Sequence, residues 1–138
     1  MTMQYALILA AALHVLSTVF WAGSTFALAR TGGVGAERLF KPQMAAAILA
    51  VISGGYLGHT LHAHAFGRAE QVLMAAAAAA VAALLVQAVV VGVAVRTLGA
   101  GAGAGEAAGA RARATLAHRI AAVLLGLAAV GMAAARYL

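Results

Sequence analysis

The chain contains no cysteine. Disulfides, thiolate metal sites and thiol catalysis are thereby excluded. Charge is also scarce. Only 9% of the 138 residues are charged, against about 25% in soluble domains. The acidic residues are Glu37, Glu70 and Glu106, and none lies within a long apolar run. A carboxylate proton relay or a di-metal carboxylate site is therefore unsupported. Ser17 and Ser24 have no base near them, which removes a serine nucleophile. Proline occurs once, at Pro42.

What remains is apolar. Hydrophobic residues make up 65% of the chain, and the mean hydropathy is +1.01. This composition belongs to an integral membrane protein. Four apolar segments emerge, at about 4–29, 43–61, 71–95 and 116–137. Each is near the roughly 20 residues that cross a bilayer. The expected fold is all-α: one transmembrane domain, residues 1–138, forming an antiparallel four-helix bundle. The first run exceeds a signal-peptide core of about 7–15 residues and lacks a basic leader, so it is expected to be a retained span.

Local features refine the picture. Pro42 suits the first position of the second helix. Ser53-Gly54-Gly55 lets a neighbour approach closely, and Ala75–Ala80 suits a packed helix face. Gly99–Ala110 is of low complexity and is expected to be a flexible loop. Gln87, the one polar side chain inside the third segment, should bond across a helix interface.

The basic residues set orientation. Arg30, Arg38, Lys41, Arg96, Arg111, Arg113 and Arg119 flank the first and third loops. Arg68 and Arg136 lie on the other side. The basic side should be cytoplasmic, with both termini outside, in a bacterial inner membrane. Tyr5, Phe66 and Tyr137 then fall at the outer ends, where aromatic rings often sit. The cations are split among short loops, so they read as topology signals and not as a nucleic-acid patch.

Histidine is the chemistry-bearing residue type. His14 lies in the middle of the first run, on a helical stripe with Ser17, Thr18, Trp21, Ser24 and Thr25. Polar atoms are costly in hydrocarbon, so this stripe should face protein or a bound group. His14 is 16 residues before Arg30, and His59 is 18 after Lys41. At 1.5 Å per residue that puts them roughly 24 and 27 Å above the basic boundary. Two imidazoles at one level on adjacent helices would suit axial ligation of a haem. Gly55 and Gly58 beside His59, and Gly23 below Trp21, could make room for it. The alternative is a packing histidine bonded to a serine on the next helix. His59, His62 and His64 form a denser outer cluster suited to copper, zinc or nickel, or else a solvated loop end. His118, beside Arg119, is expected at the cytoplasmic interface. Met44, Met74 and Met132 read as scattered core fillers.

Leu13-His14, Phe20-Trp21-Ala22-Gly23 and Arg30 together resemble the opening helix of the copper resistance protein D family. They also resemble the bacterial membrane protoporphyrinogen oxidases, four- or five-helix proteins that bind haem b. The resemblance implies a haem-ligating role for His14. Lys41-Pro42-Gln43-Met44 and Ser53-Gly54-Gly55-Tyr56-Leu57 look like the second helix of small copper-resistance-D-like proteins. The likeness covers about the first 60 residues. The oxidases need a lysine within their third helix. Here Lys41 is the only lysine, which speaks against protoporphyrinogen oxidation. The long copper-resistance chains carry further helices that are missing here.

Three functions follow as expectations. The first is haem b binding, with His14 and His59 as ligands and Trp21, Gly55 and Gly58 beside the group. Such a protein would exchange electrons between a quinone and an outer acceptor, or serve as a small subunit of a respiratory complex. The second is copper uptake or tolerance through His59, His62 and His64. The third is a cofactor-free accessory subunit docked on a larger membrane complex or on its own copies.

Overall fold

The computed structural model describes residues 2–62 and 66–138. His64 lies outside the described residues. Among the described residues there are four long helices: α1 (Thr2–Arg30), α2 (Ala36–His62), α3 (Arg68–Gly99) and α4 (Ala104–Ala135). All four are long and apolar enough to cross a membrane. The protein is thus an all-α, multi-pass membrane four-helix bundle. Each helix packs on its neighbours in the order α1, α2, α3, α4, and α4 closes the ring against α1.

Apolar residues cover the outside. Ile8, Leu9, Val15, Leu16 and Val19 of α1 are exposed, as are Val123, Leu127 and Val130 of α4. In water such a surface would aggregate; in a bilayer it is solvated. The inside is built from small residues, as membrane helix contacts are. Ala46, Ala47, Ala50, Ala83, Ala121 and Leu125 surround Trp21. Val91, Ala94, Ala110, Ala114 and Ala117 form a second cluster nearer the turns.

Glycines act where backbones come close. The α1–α2 turn runs through Gly32, Gly33 and Gly35, all at positive φ. The Gly33 N–H closes α1 by donating to the Leu28 carbonyl at 3.0 Å. Gly131 of α4 sits against Ala76 of α3, where an added Cβ would lie 3.1 Å from the alanine methyl. Gly92 leaves room for the Phe40 ring.

Helix boundaries depart from expectation in two places. Pro42 is not the first helical residue, because α2 begins six residues earlier at Ala36. The Gly33 carbonyl accepts from the Ala36 N–H and starts the helix there. The proline simply leaves the Arg38 carbonyl without its helical donor. The expected loop Gly99–Ala110 shrinks to a turn, and α4 starts at Ala104. Alanine is the best helix former, and Ala110 is fully buried against α3. Within α3, Gln87–Val91 forms a π turn, an insertion of the kind often found at functional sites.

Candidate functional site

The stripe on α1 does face the protein. Ser17, Trp21 and Thr25 are buried, and His14, Thr18 and Ser24 are half-buried. Its partners divide into two groups, one around His14 and one around Trp21.

His14 leans on α2. Its Nδ1 lies 2.9 Å from the Ala50 carbonyl oxygen and 3.4 Å from Ser53 Oγ. A carbonyl only accepts, so Nδ1 carries the proton and donates. The Ser53 hydroxyl itself donates back to the Leu49 carbonyl. The ring rests on Gly54, where an added Cβ would be 2.8 Å from Cε1. The small-residue triplet Ser53-Gly54-Gly55 thus accommodates a histidine ring. With Nδ1 protonated, the lone pair sits on Nε2, the usual state of a metal-ligating imidazole. An apolar groove of about 260 Å³ also runs between α1 and α2, lined by Ala10, Leu13, Leu49, Ile52, Ser53 and Tyr56 but not by His14 itself.

The structure does not bring His14 and His59 together. His14 meets Ala50, Ser53 and Gly54, and His59 lies five residues beyond Gly54. That is about 7.5 Å further along the helix. His59 is exposed, and Gly55 and Gly58 border open space. Counting residues from helix ends placed the two rings at one level because α2 begins earlier than its proline suggested. His62 is engaged elsewhere: its Nδ1 lies 3.1 Å from Glu70 Oε1. Glu70 in turn accepts from the Gly67 N–H at 2.8 Å and caps α3. Among the described residues no three metal-ligating side chains converge.

The second group spans all four helices. Trp21 Nε1–H donates to Gln87 Oε1 at 2.6 Å, across the diagonal of the bundle. Indole nitrogen only donates, so the Gln87 amide orientation is forced. Its Nε2 then donates to Thr25 Oγ1 at 2.8 Å and faces His118 Nδ1 at 3.2 Å. Gln43 Nε2 donates to Ser24 Oγ and Thr25 Oγ1 at 3.1 and 3.0 Å. The Thr25 hydroxyl itself donates to the Trp21 carbonyl at 2.7 Å. Gln43, Gln87 and His118 are 0% exposed and Trp21 is 1% exposed. Because Gln87 presents N–H groups to Nδ1, the His118 tautomer protonated at Nε2 is the one that fits. That Nε2–H and the Gln43 Oε1 acceptor have no partner.

His118 is therefore not the interfacial residue expected from its neighbour Arg119. Its helix begins 14 residues earlier, at Ala104, which carries it into the middle of α4. Trp21 belongs to this polar core. The partnership of Gln87 was legible as a lone polar residue in an apolar run; the partnerships of His118 and Gln43 were not. No protein family, curated protein or solved structure matches the chain.

Proposed function

We propose that this protein binds haem b in the outer half of its bundle, with His14 as an axial ligand, as an electron-transfer component of a bacterial inner membrane. The observation that supports this reading is the His14 hydrogen bond to the Ala50 carbonyl, which holds the proton on Nδ1 and leaves Nε2 with the free lone pair that ligation needs. The reading rests on His14 alone; His59 is exposed and lies about 7.5 Å further along α2 than Gly54, so it is left out of the ligand set. Ala50 fixes the tautomer and ring orientation, and Gly54 provides the seat for the ring. The groove walls Leu13, Leu49 and Ile52 would exclude water and hold a low dielectric, a lever on redox potential. Haem, when bound, supplies the one-electron chemistry.

The optical spectrum of protein made with abundant haem is the test. A Soret band lost in His14→Ala and retained in His59→Ala is the expected result. Gly54→Ala should also perturb the band by pushing the ring aside, whereas Gly55→Ala, which meets open space, should not. Wild-type protein devoid of haem overturns the reading, as does a His14→Ala spectrum identical to wild type.

A cofactor-free accessory subunit is the second reading. It is favoured by an open outer groove on α3 and α4 lined by Val72, Ala75, Ala76, Ala79, Leu127 and Gly131. Such small residues let another helix approach closely. Colourless protein that co-purifies with a larger membrane complex would favour it over haem binding.

A further inference from the structure

The end of the bundle that carries the two short turns is strongly basic. Arg30, Arg38, Lys41, Arg96, Arg111, Arg113 and Arg119 are all exposed there. Among the described residues none of them has a carboxylate within salt-bridge reach; the ion pair joins His62 and Glu70 at the opposite end. Unpaired cations at a membrane boundary attract anionic headgroups.

One seam concentrates this charge. Arg111, Thr115 and Arg119 are spaced by four residues and share one face of α4. That face lies against α1 and its turn. Arg119 Nε reaches the Ala29 carbonyl at 3.5 Å, beside Arg30. Gly33, at φ +76°, brings the turn onto α4, where a Cβ added to it would stand 3.2 Å from Thr115 Oγ1 and 3.7 Å from the Arg111 carbonyl. Arg30, Arg111 and Arg119 thus border one seam, in which Gly33 packs against Thr115. Phe26 shares a face with Arg30 one turn further into the bundle, and Leu116 and Ile120 stand beside the α4 stripe; all three are exposed. Charged groups beside an apolar ledge match a phospholipid, which carries a phosphate and acyl chains in one molecule.

We propose that the α1–α4 seam binds an anionic phospholipid, with Arg30, Arg111 and Arg119 around the headgroup phosphate. Guanidinium groups take phosphate oxygens two at a time, which suits this role better than lysine would. The reading is independent of whether the bundle carries haem.

Native mass spectrometry of the full chain in uncharged detergent tests it. Phosphatidylglycerol and phosphatidylcholine of identical acyl chains are titrated in turn. The expected result is tighter retention of phosphatidylglycerol, weakened about fivefold by Arg30→Gln and about 25-fold by the double variant Arg111→Gln/Arg119→Gln. Arg38→Gln/Arg96→Gln removes as much charge away from the seam and should stay within about twofold of wild type. Equal retention of the two lipids overturns the proposal. So does an equal loss in the control pair, which would mean a diffuse field and no site. Displacement of the lipid by millimolar inorganic phosphate alone would overturn the lipid assignment, since the ledge would then contribute nothing. If the double variant fails to fold, Arg30→Gln, at an exposed helix end, carries the same test.

Discussion

At the scale of single residues, the density of hydrogen bonding at Gln87 is the main feature. One amide serves Trp21, Thr25 and His118 on two other helices. Cross-helix hydrogen bonds in membranes average about 0.6 kcal/mol, because the separated helices find other partners. Three of them lost together, in Gln87→Leu, should cost about 2 kcal/mol. The loss is measured as a shift in the unfolding transition in detergent. A shift no larger than that of a lipid-facing substitution such as Leu85→Ala would mean that the network does not hold the bundle together. Two atoms of the network, His118 Nε2 and Gln43 Oε1, have no partner; at about 1–3 kcal/mol for each buried unmet polar atom they cost at least as much as the three Gln87 bonds contribute.

At the scale of elements, the first turns of α4 carry an unexpected share of the packing. Ala110, Ala114 and Ala117 join Val91 and Ala94 in a core cluster, so Ala110, expected at the end of a loop, is part of a helical hairpin with α3. Gly105 and Gly109 lie within that helix and crowd nothing: a Cβ at Gly105 meets open space, and one at Gly109 lies 3.6 Å from Arg113. Replacing either by alanine should stabilise the protein by about 0.5–1 kcal/mol, because glycine loses more backbone entropy on folding. Ala110→Glu, which places a charge in the cluster, should do the reverse and by more. Thermal unfolding of the three variants checks both signs. Neutral glycine variants together with a harmless Ala110→Glu would mean that these turns are unfolded in the membrane.

At the scale of the whole molecule, the asymmetry of charge orients the bundle. The expected arrangement has both turns of the basic end in the cytoplasm and both termini outside. A reporter fused at Leu138 should be active outside, and one inserted at Ala102 should be active in the cytoplasm. The reverse pattern would invert the bundle and place His14 in the inner half of the membrane. The helices run from 27 to 32 residues, or about 40–48 Å, which exceeds the hydrocarbon thickness of about 30 Å. The helices are therefore tilted, or their ends project beyond the hydrocarbon.

The sequence alone determined the class of the molecule. Hydropathy and length fix the number of spans, because a bilayer demands about 20 apolar residues per crossing. It also marked the stripe from His14 to Thr25, because buried polarity in an apolar run has few explanations. The levels at which side chains from different helices meet were decided only by the tertiary structure. That meeting depends on where each helix starts, and glycine and alanine near the turns started α2 and α4 earlier than proline and composition suggested. The shift paired His14 with Gly54 and carried His118 inward to Gln87. Periodicity along one helix records which face is buried; it does not record what lies opposite.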